Sequence, residues 1–116
     1  MQELAGCPLP KKGFRLEKDF TSHLGKWIKK QGYFFHKISD EGRGLKPYDS
    51  IICTHSNTYH CEIKVIKSDN FTIKEFRPNQ IKALTDITRL GGQAIIIVYS
   101  AKENKYLVQP FSLLML

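Results

Sequence analysis

Two acidic residues and a lysine have types and a spacing that could carry out phosphodiester chemistry. Twelve residues separate Asp49 from Glu62, and Lys64 follows two positions later. Carboxylates are the ligands that a hard cation such as Mg²⁺ prefers. A neighbouring lysine can orient a water against a phosphodiester while a metal neutralises the developing charge. These residues could therefore form a metal-dependent hydrolytic site if the fold brings them together.

The segments around these residues predict a β-hairpin. Residues 48–54 and 58–66 are β-rich runs, and the polar pair Ser56 and Asn57 lies between them. A tight turn at this pair would place Asp49 opposite Lys64, and side-chain alternation would put Asp49, Glu62 and Lys64 on one face. Opposed side chains then lie about 5 Å apart and diagonal ones about 7–8 Å, which lets two carboxylates grip one cation. An ordinary cross-strand salt bridge would explain the same spacing.

A helix over residues 14–31 is predicted to contribute a further acid. Its apolar residues recur at helical spacing, and Gly32 is a typical terminating glycine. On a helical wheel Glu17 falls inside the apolar stripe. A carboxylate directed at the interior is costly unless it is paired or near a metal. We therefore expect Glu17 in the same site, the alternative being a glutamate at the edge of the stripe that reaches solvent.

A second helix is predicted to contribute an amide. Pro78 is typical of a helix start, and Gly91 and Gly92 would end the helix. Gln80 lies near the centre of the apolar face and should point inward to support the site. A capping amide that only satisfies the helix terminus is the alternative.

The remaining segments complete a mixed α/β domain. Residues 1–13, with two prolines and two glycines, are expected to form a loosely ordered arm before a single domain over 14–116. Strands are predicted over 33–39, 93–100 and 106–109, and a further edge strand over 70–76. The glycine-containing segment 40–47 is predicted to be a loop.

The charge balance favours a polyanionic partner, with DNA the leading candidate. Lysine and arginine number 18 against 11 acids, a net charge of +7. We predict phosphate contacts from Arg43, Lys46, Lys67 and Arg77, although any one of them is more often simply a solvated cation. The longest apolar run, 94–99, is far below the roughly 20 residues that span a bilayer. No secretion signal is evident, so a cytoplasmic location is expected.

The cysteines and histidines favour neither a disulfide framework nor zinc. Three cysteines are an odd number in a chain without a signal. Cys53, His55, His60 and Cys61 are of the types that zinc prefers. Strand alternation, however, places Cys61 on the face opposite the other three, so a four-ligand site would need the hairpin to unwind.

The string Pro47-Tyr48-Asp49, followed by Glu62-Ile63-Lys64, resembles the signature of the PD-(D/E)XK nucleases, with a tyrosine inserted between the proline and the aspartate. The wider pattern adds Glu17, the glycine-rich loop, residues 77–80 and residues 91–92. With these the chain resembles Holliday junction resolvases of that superfamily, especially the RecU-like group of bacteria and phages, over about residues 13–110. The short VRR-type nucleases are also similar.

The resemblance implies a restriction-endonuclease-like fold, a central mixed sheet flanked by helices. It implies Mg²⁺, with Mn²⁺ as a substitute, held by Asp49, Glu62 and the Ile63 carbonyl. Lys64 would lie near the attacking water, Glu17 would be a supporting acid or a ligand of a metal water, and Gln80 would support the site. The products would carry a 5′-phosphate and a 3′-hydroxyl.

The expected substrate is four-way junction DNA, cut by a homodimer whose two sites match the symmetry of the junction. The apolar C-terminal residues 111–116 offer an interface, although they could equally pack on their own domain. Two other functions stay open. One is a restriction-like or repair nuclease on duplex or nicked DNA, and the other is a non-catalytic nucleic-acid-binding module.

Overall fold

A five-stranded mixed sheet lies between two helices in the computed structural model, which describes residues 1–39 and 45–115. The strands lie side by side in chain order, and β3 and β4 are parallel while the other neighbouring pairs are antiparallel. Their bounds are β1 Phe34–Lys37, β2 Ser50–Cys53, β3 Thr58–Ile66, β4 Gln93–Ser100 and β5 Lys105–Pro110.

The two helices, α1 Glu17–Lys30 and α2 Pro78–Arg89, end as the glycines predict. Gly32 and Gly91 follow the two C-caps with φ of +85° and +89°, the left-handed conformation that other residues adopt at a cost. Pro78 occupies the first turn of α2, where its missing N–H leaves no hydrogen bond unmade. Helix α2 is the crossover that makes β3 and β4 parallel.

Each helix covers one face of the sheet. Helix α1 buries Phe20, Leu24 and Ile28 against side chains that include Ile63 and Ile97. Helix α2 buries Leu84 on the other face, in a cluster with Ile96 of β4. Six consecutive residues of β4 are buried because the strand is covered on both faces, which explains its uninterrupted apolar sequence.

The register of the β2–β3 hairpin differs from the prediction by two residues. Ser50 pairs with Cys61 and Cys53 with Thr58, so the loop is four residues long instead of two. The N–H of Thr54 donates to the carbonyl of Asn57 at 2.8 Å and closes that longer loop. Because side chains alternate with a period of two, the shift changes which residues face each other but leaves every side chain on its predicted face.

Helix α1 begins three residues later than predicted. Gly13 has a φ of +65°, and the N–H of Phe14 donates to the Tyr99 hydroxyl at 2.9 Å. Because of both features, residues 13–16 do not form part of the helix. As a result Leu16, predicted in the apolar stripe, is exposed, and Glu17 is the first helical residue.

Two peripheral segments also differ from their predictions. Residues 70–76 form no strand; they contain a 3₁₀ turn, Ile73–Glu75, and Phe76 is buried beside α2. The first residues are not loose, because Leu4 is fully buried and its carbonyl accepts a hydrogen bond from Tyr106 at 2.7 Å. The core therefore includes part of the predicted arm.

The C-terminal apolar segment packs largely on its own domain. Its 3₁₀ turn, Phe111–Met115, buries Phe111 completely, and Leu114 packs against the same cluster. Leu113 and Met115 remain about half exposed. Within the described parts of the chain, no helix is long and apolar enough to cross a bilayer.

Candidate active site

Strand β3 presents Glu62 and Lys64 on the face that α2 covers. Glu62 is only 2% exposed, and its Oε2 accepts from Gln80 Nε2 at 3.0 Å and lies 3.2 Å from Lys64 Nζ. The ammonium of Lys64 also lies 5.4 Å from the centre of the Phe76 ring. One carboxylate oxygen is thus held by a lysine and an amide inside the protein.

Asp49 lies at the start of β2 and is equally buried, at 2% exposure. Its N–H donates to the Cys61 carbonyl at 2.9 Å, so Asp49 lies beside Ser50, the residue that pairs with Cys61. Asp49 is therefore next to Glu62, and its negative charge acts on that carboxyl group. Lys46 Nζ lies 2.9 Å from Asp49 Oδ1, so the aspartate also has one oxygen held by an ammonium.

The second oxygen of each carboxylate is unused by the described part of the protein. Asp49 Oδ2 and Glu62 Oε1 are buried, and neither has a hydrogen-bond partner among the described residues. Buried charged oxygens without a partner are costly. Two such oxygens on facing strands are a donor set that a hard divalent cation fits. Among the described residues no group of three His, Cys, Asp or Glu side chains could hold a metal, so a third protein donor would have to come from elsewhere.

The backbone carbonyl of Ile63 is suited to be that donor. Carbonyls alternate in direction along a strand, so this carbonyl points to the same side as that of Cys61, toward the chain that precedes β2. If the Asp49 N–H to Cys61 carbonyl bond were followed by an equivalent bond two residues further along each strand, the partner of the Ile63 carbonyl would be the N–H of residue 47. Residue 47 is a proline and has no N–H. The proline of the motif therefore removes the donor that would otherwise engage this oxygen.

Gln80 makes the contacts that each of the two predicted alternatives requires. It is 1% exposed at the third position of α2, and its Oε1 accepts from the N–H of Arg77 at 3.1 Å, a helix-capping bond. Its Nε2 donates to Glu62. The amide thus ties the start of α2 to the orientation of the buried glutamate.

Glu17 does not point into the interior as the helical wheel predicted. As the first residue of α1, it has an exposed side chain. It still lies close enough to the site to interact electrostatically with Asp49 and Lys64. Desolvation by the surrounding protein and the negative charge of Asp49 raise its pKa, while Lys64, Lys46 and Lys37 oppose that rise. Glu17 therefore borders the site from the start of α1.

Burial raises the pKa of Glu62 to about 7. Lys64 acts in the opposite direction, and Asp49 adds to the rise through like-charge repulsion. Near neutral pH a proton and a cation would compete for this carboxylate. A buried carboxyl that titrates near 7 beside a lysine is a frequent feature of functional sites.

The predicted phosphate contacts lie in different surroundings. Lys67 is exposed and lines an open pocket of about 570 Å³ with Lys12 and Arg15. Arg77 is half-buried at the start of α2. Lys46 is largely buried against Asp49 and is not a solvated surface cation. Arg43 lies outside the described residues.

Sequence reasoning missed the Lys46–Asp49 pair and a second pair beside it. Tyr48 Oη lies 2.7 Å from His60 Nδ1, and burial lowers the pKa of His60. Lys46 and Asp49 lie three residues apart, a spacing that could have suggested an ion pair. The chain is irregular around Pro47, so an argument from helical or strand periodicity does not find this pair.

Cys61 is buried on the α1 side of the sheet, whereas His60 lies on the other face, as strand alternation predicted.

Sequence comparison with protein families and with curated proteins gives no match. The fold resembles solved structures. Hjc of Archaeoglobus fulgidus, described as a Holliday junction resolvase, matches with a TM-score of 0.62 and 17% identity, over 81% of this chain and 75% of that one. A structure described as a VRR_NUC domain matches with a TM-score of 0.53 and 19% identity, over 76% and 88%. The predicted fold class is confirmed, since the mixed sheet between helices is restriction-endonuclease-like.

Proposed function

We propose that this chain is a metal-dependent DNA endonuclease that hydrolyses phosphodiesters in branched DNA, as a Holliday junction resolvase does. The observation that carries the proposal is the pair of buried carboxylates on facing strands, each with an oxygen that no described residue engages, next to Lys64. The fold supports the proposal, because the solved structures that share it include a junction resolvase and a domain whose name marks it as a nuclease.

Asp49, Glu62 and the Ile63 carbonyl would hold Mg²⁺ or Mn²⁺. A divalent cation there would supply Lewis-acid stabilisation of the negative charge that develops on the phosphate. The carboxylates, oxygen donors on rigid strands, suit a hard cation better than they suit zinc. We do not assign zinc to Cys53, His55, His60 and Cys61, since Cys61 is buried on the face of the sheet opposite His60.

The side chains around the carboxylates would position and neutralise the reacting groups. Lys64, held by Glu62 and by the Phe76 ring, would place a positive charge beside the attacking water and the phosphate. Gln80 would keep Glu62 in one orientation. Glu17, whose raised pKa lets it keep a proton at higher pH than an ordinary glutamate, would act as a supporting acid at the edge of the site.

Branched DNA is the substrate that best fits a basic chain of this size. The net charge of +7 would attract the phosphates of any nucleic acid. Paired cuts in opposing strands of a junction require two sites, which a two-fold homodimer supplies. Leu113 and Met115, both about half exposed at the C-terminal turn, are the apolar side chains that we assign to its interface.

Cleavage assays with matched acid variants test the chemistry. In Mg²⁺ the wild type should cut a labelled four-way junction, whereas Asp49→Ala and Glu62→Ala should lose cleavage and retain DNA binding. Asp69→Ala removes an exposed aspartate that pairs with Lys102, so it controls for the loss of one negative charge. Full activity of Asp49→Ala would reject the assigned site.

A substrate panel and a mass measurement test the finer assignments. Preference for nicked or linear duplex over the junction would favour a restriction-like or repair nuclease, and binding without cleavage under Mg²⁺ or Mn²⁺ would favour a non-catalytic module.

Sedimentation equilibrium should give twice the 13.4 kDa monomer mass. Substituting Leu113 and Met115 by lysine should produce monomers, whereas deleting the segment would also remove the buried Phe111.

A further inference from the structure

We infer that a lysine-lined groove between α1 and the edge strand β1 holds the backbone of one DNA arm and leads it to the active site. This inference deepens the proposed function by assigning a path to its substrate. The groove has a volume of about 270 Å³. Its cationic walls are formed by Lys18, Lys26, Lys29 and Lys37.

The positive charges of the groove are not held in ion pairs by the described residues. None of its four lysines forms an ion pair with an acid in residues 1–39 or 45–115, and no acid lines the groove. The two acids at the start of α1 do not line the groove: Asp19 lines the pocket around Arg15, and Glu17 interacts with Lys37 from beside Asp49. Four like charges along low-dielectric walls concentrate a positive potential that attracts a polyanion.

The shape of the groove follows from the helix. Lys18, Ser22, Lys26 and Lys29 recur at intervals of three and four residues and so lie along one side of α1. From Lys18 to Lys29 the helix rises roughly 16 Å, about the axial rise of five base pairs of DNA. The spacing therefore suits consecutive phosphates along a strand better than a single small anion.

The floor of the groove contains a buried hydroxyl group. Thr21 is 2% exposed, and its hydroxyl has no hydrogen-bond partner among the described residues. A phosphate oxygen could accept a hydrogen bond from this hydroxyl. Gly25 lets the Phe35 ring approach closely, since a Cβ at Gly25 would lie 2.7 Å from that ring. The ring closes the groove from below.

The groove continues toward the catalytic carboxylates. A second cavity of about 370 Å³ shares Lys37 with the groove and is lined at its other side by Lys46, which pairs with Asp49. Lys37 and Lys46 also both act electrostatically on Glu17. A phosphate chain lying in the groove would thus pass from α1 over the end of β1 to the site.

This continuity favours DNA over an anionic membrane. A helix that binds membranes carries bulky apolar side chains beside its cations. On α1 the large apolar residues Phe20, Leu24 and Ile28 are buried in the core instead. A membrane would also give no reason for the groove to reach Asp49.

The test compares two double variants that remove the same charge at opposite edges of the sheet. Lys18→Gln/Lys26→Gln alters the groove at β1, and Lys102→Gln/Lys105→Gln alters the β5 edge. All four lysines are exposed, so both variants should keep the melting temperature of the wild type. Affinity for a labelled four-way junction is measured in EDTA over a range of salt concentrations.

The groove variant should bind on the order of tenfold more weakly at low salt, and the slope of log affinity against log salt should fall by about 2, because two phosphate contacts are lost. The β5-edge variant should match the wild type. Equal losses in both variants would mean that only net charge matters and would overturn the inference. Unchanged DNA binding, together with loss of binding to phosphatidylserine vesicles, would overturn it in favour of a membrane.

The result is independent of the proposed chemistry because no cleavage occurs in EDTA. Groove-dependent binding by a protein that fails to cut any substrate would leave the groove assigned and reject the nuclease. Cleavage by the wild type with undiminished binding of Lys18→Gln/Lys26→Gln would reject the groove alone.

Discussion

Replacing Glu62 by glutamine should stabilise the metal-free protein at high pH, although it should abolish activity. The carboxyl has a pKa of about 7 in the folded protein against an ordinary value of 4.5. At 1.36 kcal/mol per pH unit, this difference corresponds to about 3 kcal/mol. Because Glu62 is 2% exposed, solvent screens little of this cost. The glutamine keeps an oxygen that can accept from Gln80 and Lys64.

The sign follows from proton linkage. Below about pH 4.5 the carboxyl is protonated in both the folded and the unfolded chain, and the two proteins should differ little in stability. As the pH rises toward 7, the folded chain holds the proton more tightly, so the wild type loses stability relative to Glu62→Gln. Above about pH 7 the folded carboxylate is charged and buried, and the full advantage of the variant, about 3 kcal/mol, should be present.

Urea unfolding in EDTA at pH 4.5, 6 and 8 measures this difference. Glu75→Gln, at an exposed position, controls for the loss of one charge and should stay within about 0.5 kcal/mol of the wild type at each pH. Saturating Mg²⁺ should then stabilise the wild type but not Glu62→Gln, since only the folded carboxylate site binds the cation. A variant that is destabilised at pH 8, or whose advantage is the same at all three pH values, would refute the reasoning.

Three further substitutions test the surroundings of the carboxylates. Gln80→Ala removes both the capping acceptor and the donor to Glu62, so thermal unfolding should show a loss of about 1–3 kcal/mol; no loss would mean that water replaces the amide. Lys46→Met removes the ammonium that lies against Asp49 Oδ1, so calorimetry should show that Mg²⁺ binds several-fold more tightly. Weaker binding would mean that Lys46 contributes to metal binding. Cys61 lies on the far face of the sheet, so Cys61→Ser should cleave at the wild-type rate. Stoichiometric zinc in the wild-type protein, measured by elemental analysis, would contradict the assignment of Mg²⁺.

The parts of the fold that depend on local pattern could be predicted from the sequence. The bounds of β3 and β4 agree with the prediction, because both strands are long apolar or alternating runs between clear turn residues. The ends of both helices also agree, since Gly32 and Gly91 take a conformation that glycine adopts at little cost. Gln80 was predicted to be buried because it lies on the apolar face of α2, and it is.

The parts that depend on distant contacts could not be predicted. Helix α1 starts late because Tyr99, 85 residues away, binds the N–H of Phe14, and periodicity carries no information about such a contact. The same applies to Leu4, whose burial depends on Tyr106 and on packing beneath β3. The raised pKa of Glu62 likewise needs α2 to cover β3.

The contacts of Asp49 and Glu62 favour one of the two explanations that the sequence left open. In the predicted register Asp49 faces Lys64, and a cross-strand salt bridge would account for both. In the observed structure the N–H of Asp49 binds the Cys61 carbonyl, and the charge of Asp49 acts on the adjacent Glu62. Like charges close together are unfavourable, and these two side chains are almost fully buried. Lys46 and Lys64 each engage only one oxygen of a carboxylate, so a structural salt bridge leaves the second oxygens unexplained, whereas a shared cation would account for them.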